Sequence, residues 1–133
     1  MIRAVAGILQ KENKILITER PLHKPYAGYW EFPGGKIEAN ETSLHALKRE
    51  LQEELGIFVN DAEFWFEHTH QYPDKKVFLE IWRVADFTGE PEGKEEQKLC
   101  WIMPNEIPSL QLLEGNIAII KRIITHASRR KKP

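Results

Sequence analysis

The chain has 133 residues, a length that accommodates one domain with its own hydrophobic core. Its 19 basic and 20 acidic residues leave a net charge of −1, which excludes a dedicated nucleic-acid binder because such proteins carry a basic excess. The single cysteine, Cys100, excludes an internal disulfide.

Membrane and targeting signals are weak throughout the sequence. The first apolar residues are soon followed by polar ones, and no apolar run approaches the ~20 residues that a membrane span needs. We therefore expect no signal peptide, no membrane contact and a cytoplasmic location. The basic block Arg129–Lys132 is typical of a solvated terminus, so we expect no stable nucleic-acid complex, and we favour a monomer.

The first third of the chain is predicted to be extended. Two apolar, β-branched segments, Ile2–Leu9 and Ile15–Thr18, flank the polar turn Lys11–Lys14 and predict a hairpin. Proline and glycine predict a loop over Arg20–Tyr29. The segment Trp30–Ile37 is again extended, with a Pro-Gly-Gly turn inside it.

The pattern then becomes helical from Thr42 to Leu55. Thr42 suits the N-cap, and Gly56 suits a left-handed C-terminal cap. Four apolar residues recur at three- and four-residue spacing, as expected for a buried helix face: Leu44, Leu47, Leu51 and Leu55.

The remaining chain predicts three strands and a second helix. The strands are Ile57–His70, Val77–Phe87 and Leu99–Met103. The second helix is marked by Ile117, Ile120, Ile124 and Ala127. Strands on both sides of one helix and a helix at the end predict an α/β (α+β) fold, a mixed β-sheet flanked by helices.

Three carboxylates share one face of the first predicted helix. Glu50, Glu53 and Glu54 project beside the leucine stripe, although like charges at this spacing repel one another. A solvated acidic face is the simplest interpretation. The alternative is a site for Mg²⁺ or Mn²⁺, because these ions bind carboxylates, waters and substrate phosphates together. The preceding Pro33-Gly34-Gly35 turn favours it, since glycine lets backbone carbonyls approach a ligand closely.

The spacing of these residues resembles the Nudix box. Gly35, Glu41 and the segment Arg49–Ile57 match G-x5-E-x7-R-E-U-x-E-E-x-G-U at every fixed position. Three further segments resemble the MutT-like branch of that family: Trp30–Glu38, Tyr72–Asp74 and Gly89–Glu95. The resemblance covers nearly the whole chain and implies a single domain over residues 1–133, with a Nudix-type α/β/α sandwich.

The resemblance also implies a reaction. Nudix enzymes hydrolyse a nucleoside diphosphate linked to another group, with Mg²⁺ or, in its place, Mn²⁺. In the MutT-like branch water attacks the β-phosphorus of 8-oxo-dGTP and releases the monophosphate and pyrophosphate, which removes a mutagenic nucleotide before DNA replication. A pyrophosphatase for CTP, dCTP or another nucleoside diphosphate derivative is an alternative. A binding module without catalysis is disfavoured because every box glutamate is present.

The resemblance assigns site residues one by one. It places Arg49, Glu50, Glu53, Glu54 and Glu95 in catalysis. The metal ligands are expected to be the carbonyl of Gly34 with Glu50, Glu53, Glu54 and Glu95. Glu95 is expected to act as ligand or general base, with Glu96 as its rival, and Glu41 is expected to be peripheral. Arg49 is expected to orient the glutamates through salt bridges.

Substrate contacts are implied at a second group of positions. These residues are Arg20, Phe32, Gly34, Tyr72, Asp74 and Asn116. Asn116 aligns with an asparagine that reads the oxidised guanine edge, and its amide offers both a donor and an acceptor. An N-cap of the second helix is the other interpretation of Asn116, and core packing is the other interpretation of Tyr72.

Overall fold

The structure is a computed structural model that describes the backbone of residues 1–131 and the side chains of residues 1–125. The basic block Arg129–Lys132 lies outside the residues whose side chains are described. In the described part of the chain, no helix is long and apolar enough to cross a membrane.

The backbone forms strands, two α-helices and one short 3₁₀ helix within these residues. In chain order they are β1 (Ile2–Lys11), β2 (Lys14–Glu19), β3 (Trp30–Glu31), β4 (Gly34–Lys36), α1 (Ser43–Leu55), β5 (Phe58–Gln71), β6 (Lys76–Thr88), β7 (Lys98–Ile102), the 3₁₀ helix (Pro104–Ser109) and α2 (Glu114–Lys131). The predicted hairpin, both helices and the later strands agree with these bounds. The 3₁₀ helix was not predicted, and the extended segment Trp30–Ile37 divides into β3 and β4.

The strands form one mixed sheet with β1 at its centre. The strand order is β3-β2-β1-β6-β5, with β4 pairing to β1 and β7 pairing to β2. The β1–β6 pair is parallel, and the other pairs are antiparallel. The predicted mixed sheet is therefore confirmed.

Alternation along β1 divides the core between the two helices. Val5 and Leu9 are buried with the leucines of α1, whereas Ala6 and Ile8 are buried with the isoleucines of α2. Successive side chains of a strand point to opposite faces, so one central strand supports a helix on each side of the sheet. The result is the predicted three-layer α/β/α arrangement.

Both ends of α1 are fixed as the sequence predicts. The Thr42 hydroxyl accepts the His45 backbone N–H at 3.1 Å, and Gly56 ends the helix with φ 71°, a left-handed conformation. The buried face of the helix is Ala46, Leu47, Leu51 and Leu55. Because this face sets the rotation of α1, the neighbouring acidic face is turned towards β4 and not to open solvent.

Candidate active site

One cavity of about 560 Å³ lies where α1, β4, the loop after β2 and the start of α2 meet. Six acidic side chains belong to its wall: Glu31, Glu38, Glu50, Glu53, Glu54 and Glu95. Most of the predicted site residues are on the same wall: Arg20, Phe32, Gly34, Glu50, Glu53, Glu54, Tyr72, Glu95 and Asn116. The structure thus brings the predicted metal ligands and most of the predicted nucleotide contacts to one partly open cavity.

Gly34 turns its backbone polar groups away from β1. The Gly7 N–H donates to the Pro33 carbonyl at 2.8 Å, so the next pair along this antiparallel ladder, Ala6 and Gly34, is a non-hydrogen-bonded pair. The N–H and C=O of Gly34 therefore both point away from β1. The N–H donates to Glu54 Oε2 at 3.0 Å, which leaves the carbonyl on the α1 side of the strand.

Both glycines of β4 are required by space. A Cβ on Gly34 would lie 1.9 Å from the Val5 carbonyl oxygen. A Cβ on Gly35 would lie 2.3 Å from the Glu50 carboxylate. The first glycine therefore allows β4 to pack against β1, and the second allows the Glu50 carboxylate to reach the strand.

Arg49 holds the acidic residues around it through short contacts. Its Nε and one terminal nitrogen bind both oxygens of Glu41, at 2.7 and 2.8 Å. The other terminal nitrogen donates to Glu50 at 2.9 Å and to Glu53 at 3.3 Å. A further hydrogen bond of 3.0 Å to the Lys36 carbonyl attaches the guanidinium to β4. These are the salt bridges that the sequence predicts for Arg49.

Glu41 is buried against Arg49 beside the cavity. It is absent from the cavity wall, as expected for a peripheral residue, but its side chain is only 6% exposed and forms the two-point ion pair with Arg49. Hydrogen bonds from Arg49 and from the Glu38 backbone N–H hold the pKa of Glu41 at about 2. A turn before α1 folds back on the helix and brings Glu41 to Arg49, eight positions further along the sequence, so Glu41 supports the site from outside the cavity wall.

The three α1 glutamates differ in exposure and in electrostatics. Glu53 is half exposed, Glu50 is mostly buried, and Glu54 is partly buried. Burial, followed by the charges of Glu31 and Glu50, raises the pKa of Glu54 to about 9. Burial also raises the pKa of Glu50, although Arg49 opposes the shift. This cavity therefore concentrates negative charge that a cation would stabilise.

The donor set fits a hard divalent cation. Carboxylate oxygens and the outward carbonyl of Gly34 are the ligands that such ions take, together with waters and phosphate oxygens. In this arrangement, however, no three acidic, histidine or cysteine side chains of the described residues are grouped closely enough to hold an ion. Arg49 and the Gly34 N–H instead hold the carboxylates at the edge of the cavity.

The loop before β7 places Glu95, and not its neighbour, at the cavity. Glu95 is half-buried and belongs to the wall, whereas Glu96 is exposed and has φ 67°. Buried Gln97 fixes this loop: its side-chain oxygen accepts the Glu95 N–H at 2.8 Å, and its amide donates to the Glu54 carbonyl at 3.0 Å. Sequence reasoning missed Gln97, because a glutamine within a polar loop carries no signal of burial.

Asn116 and Tyr72 lie where the start of α2 meets the cavity. Asn116 is the third residue of α2 and not its N-cap, and its side-chain oxygen accepts the Phe32 N–H at 3.0 Å. This bond leaves the amide NH₂ group as its donor for the cavity. The Tyr72 hydroxyl accepts the Gly115 N–H at 2.8 Å, so both side chains are held in place by backbone bonds.

Arg20 is paired with a carboxylate that the sequence did not single out. Its guanidinium contacts the Glu31 oxygens at 3.0 and 3.3 Å and donates to the Pro25 carbonyl at 2.7 Å. Burial nevertheless raises the pKa of Glu31, with Arg20 opposing the shift. Glu31 lies on the two-residue strand β3, which is too short for a periodicity that would show which way its side chain points.

Asp74 does not belong to the cavity wall in the described structure. It lies beside Tyr26, whose pKa is raised first by burial and then by the Asp74 charge. Tyr26 is itself on the wall, and its ring lies 5.9 Å from the ring of Tyr72. Asp74, which we expected in the pocket, therefore lies next to Tyr26, an aromatic residue of the wall, and not on the wall itself. This arrangement depends on the folding of the loop after β2.

Comparison with known proteins agrees with this geometry. The NUDIX domain model matches residues 1–124. The "CTP pyrophosphohydrolase" of Escherichia coli (strain K12) is 38% identical over 121 residues, which are 91% of this chain and 90% of that protein. The "8-oxo-dGTP diphosphatase" of Haemophilus influenzae is 36% identical over 125 residues, which are 93% of this chain and 92% of that protein.

The fold has close structural neighbours as well. The solution structure of the E. coli ORF135 protein superposes with a TM-score of 0.86 at 35% identity and covers 100% of this chain and 95% of that chain. A likeness of this extent includes both helices and the whole sheet.

Gly35→Ala is expected to weaken metal binding at the cavity without unfolding the protein. The added Cβ overlaps the Glu50 carboxylate and displaces it from β4. We expect Mn²⁺ affinity, measured by electron paramagnetic resonance, to fall at least about tenfold, since a charged ligand is misplaced. Gly7→Ala is the control: its Cβ would lie 3.1 Å from Leu51, so it should lower Tm and preserve the affinity. Unchanged Mn²⁺ affinity in Gly35→Ala would contradict the assigned role of Gly35.

Glu41→Gln is expected to flatten the acid end of the stability profile. The pKa of Glu41 is lowered from 4.5 to about 2, so its charge stabilises the fold above pH 4.5 and this contribution is lost as the pH falls towards 2. Urea unfolding of both proteins across this range should show their free energies of unfolding converging as the pH falls. Parallel profiles would exclude the Arg49–Glu41 ion pair as a source of stability. Glu12→Gln, at an exposed position, is the matched control.

Proposed function

The chain belongs to the Nudix family, and we propose that it hydrolyses 8-oxo-dGTP to the monophosphate and pyrophosphate. As a Nudix hydrolase it is a pyrophosphohydrolase that uses divalent metal ions. One observation carries the choice of a nucleoside triphosphate: a single cavity joins the acidic face of α1 to a pocket formed by Asn116, Tyr72 and Phe32. The acidic end suits a metal-bound phosphate chain, and the other end suits a base.

We propose Mg²⁺ as the natural metal, with Mn²⁺ as a substitute. The residues that would hold it are Gly34, through its outward carbonyl, with Glu50, Glu53, Glu54 and Glu95. When bound, divalent cations neutralise the phosphate chain, orient it and lower the pKa of the attacking water. The crowded carboxylates of this cavity support the proposal, because a cation would offset both the desolvation and the repulsion that raise the pKa of Glu54.

The chain's own residues position and deprotonate the attacking water. The water oxygen forms a bond to the β-phosphorus, and the bond from this phosphorus to the oxygen bridging to the α-phosphorus breaks. The nucleotide leaves as the monophosphate, and the β- and γ-phosphates leave as pyrophosphate. We assign Glu95 as the acceptor of the water's proton, since it faces the α1 glutamates from a separate loop fixed by Gln97. Arg49 keeps Glu50 and Glu53 oriented.

The base is held by groups whose directions are already fixed. Asn116 donates its amide NH₂ to an acceptor on the base, because its oxygen is engaged by Phe32. The rings of Tyr72 and Tyr26 offer apolar faces beside it, and Arg20 is restrained by Glu31. An oxidised purine presents carbonyl oxygens that an amide donor can bind.

We place this activity in the cytoplasm and assign it to a monomer. The nucleotide pool is dissolved there, and removal of 8-oxo-dGTP from it prevents incorporation of the oxidised base during DNA replication. Nucleic acid has no part in the proposed reaction.

Hydrolysis of CTP is the second candidate. One specific observation favours it: the relative named "CTP pyrophosphohydrolase" matches 91% of this chain at 38% identity. Cytosine also presents acceptors to an amide donor, so the contact assigned to Asn116 serves either base. Discrimination must then come from the shape of the aromatic wall.

A substrate panel decides between these functions. We expect kcat/KM for 8-oxo-dGTP to exceed that for dGTP at least about 100-fold, because a site built around an oxidised base leaves buried polar groups unpaired with the normal one. Pyrophosphate release from 8-oxo-dGTP, dGTP, CTP and dCTP with Mg²⁺ is the measurement. A ratio near one would overturn the sanitising role, and a preference for CTP would establish the second candidate. Failure on the whole panel would exclude both candidates and leave a pyrophosphatase for another nucleoside diphosphate derivative; failure on every nucleotide with Mg²⁺ or Mn²⁺ would indicate a binding module.

Glu54→Gln is expected to lower kcat at least about 100-fold, and Glu53→Gln similarly, because each removes a charged ligand while preserving size. Initial rates with 8-oxo-dGTP at saturating Mg²⁺ are the measurement. Glu96→Gln is the matched control, since it alters an exposed glutamate of the loop that carries Glu95. Near-full turnover in both α1 variants would refute the metal assignment.

A further inference from the structure

The loop between β2 and β3 has a fixed shape. The Arg20 N–H donates to the Tyr29 carbonyl at 2.8 Å, and the Gly28 N–H donates back to the Arg20 carbonyl at 3.0 Å, so the two ends of the loop are joined. Inside it, the Arg20 side chain donates to the Pro25 carbonyl at 2.7 Å. Side chains of this loop are therefore presented to the cavity from a rigid platform.

Lys24 extends from this platform across the cavity. Its Nζ lies 3.3 Å from Oε1 of Glu95, and the two side chains are 40% and 39% exposed. The ammonium also opposes the raised pKa of Glu31, so it lies close enough to act on both acids. Lys24 is thus situated between the metal-binding end of the cavity and the end assigned to the base.

Two other cations of the cavity wall, Arg20 and Lys75, have partners of their own. Arg20 is bound to Glu31 and Pro25. Lys75 lies over two aromatic rings, 5.7 Å from the centre of Tyr26 and 5.8 Å from that of Tyr72. Lys24 has one long contact to a single carboxylate oxygen, and a partly exposed ion pair of this kind contributes little to stability. Exchange of the Glu95 carboxylate for another anion therefore costs Lys24 little free energy.

A nucleoside triphosphate supplies a stronger partner. It brings about four negative charges to a wall that already contains six glutamates. The role proposed for Glu95 towards the metal or the attacking water competes with its contact to Lys24, which involves one carboxylate oxygen. The Lys24 ammonium is then available to phosphate oxygens, with which a lysine forms strong charge-assisted hydrogen bonds.

We propose that Lys24 is a substrate-binding residue that pairs with Glu95 in the free enzyme and with the phosphate chain of the nucleotide in the complex. The proposal rests on the proposed function, since it assumes a nucleoside polyphosphate in this cavity. It adds a residue from the loop after β2 to the phosphate-binding end of the site. It also gives the free enzyme a means of neutralising Glu95 until substrate arrives.

The test is the affinity of Lys24→Met for two probes. The first is the α,β-methylene analogue of 8-oxo-dGTP, measured with Mg²⁺ by isothermal titration calorimetry, and the second is 8-oxo-deoxyguanosine, which has no phosphate. We expect Kd for the analogue to rise at least about tenfold and Kd for the nucleoside to stay within twofold. Lys24→Arg, which keeps the charge, should restore most of the affinity for the analogue.

Lys94→Met is the matched control for this experiment. Lys94 pairs with Glu92 at 3.0 Å on the loop that carries Glu95, but it does not belong to the cavity wall. Its variant should bind both probes as the wild type does. Thermal unfolding of all three variants establishes that they are folded before binding is compared.

Two results would overturn the role of Lys24. One is an unchanged Kd for the analogue, including the case in which kcat alone falls, because Lys24 would then act only by holding Glu95. The other is an equal loss of affinity for both probes, which indicates a damaged base pocket. A wild type that prefers CTP overturns the proposed substrate instead, and the same comparison with α,β-methylene CTP and cytidine then decides the role of Lys24.

Discussion

The site depends on the ion pair between Arg49 and Glu41. Three glutamates on adjacent turns of α1 repel one another, and a cation among them offsets this repulsion and fixes the directions of their side chains. Arg49 provides it, but a guanidinium surrounded only by prospective metal ligands would compete with the metal for all of them. Glu41 binds two of its nitrogens from outside the cavity and leaves one for Glu50 and Glu53. Arg49 therefore orients these ligands without fully neutralising them.

A different interaction holds the Glu54 carboxylate. No guanidinium contact is described for it, and it accepts instead the backbone N–H of Gly34. This bond exists because β4 pairs with β1 in the register that turns Gly34 outward, and because α1 lies close above the strand. A neutral donor stabilises a buried carboxylate less than a charged one does. Of the three α1 glutamates, Glu54 is therefore the one whose negative charge is least compensated. It lies beside Gly34, whose carbonyl is also a candidate metal ligand.

Patterns of local origin were predictable from the sequence. The leucine spacing and the caps at Thr42 and Gly56 define α1, because each depends on residues within a few positions. Contacts between distant segments were not predictable. Glu41 reaches Arg49 through a turn, and Gln97 joins its loop to the end of α1. Such contacts depend on backbone directions that neither composition nor periodicity encodes.

The end of the cavity assigned to the base also shows what the sequence alone leaves undecided. An asparagine near the start of a helix suits either a cap or a base contact, and both interpretations assume that its amide is free to serve one role. In the structure the two ends of the Asn116 amide differ. The oxygen accepts the Phe32 backbone N–H, and the NH₂ group is the end proposed to contact a ligand. The role proposed for Asn116, donation to an acceptor on the base, therefore does not distinguish an oxidised purine from cytosine.

In the proposed function, the width of the space beside Asn116 sets the base preference. Tyr26 lines this part of the wall with φ 60°, and its ring lies 5.9 Å from that of Tyr72. A left-handed backbone at a tyrosine costs free energy, and the contacts of its ring with Tyr72 and Lys75 offset that cost. The loop after β2 thus contributes two residues to the cavity wall: Lys24 beside the Glu95 carboxylate and Tyr26 beside the ring of Tyr72.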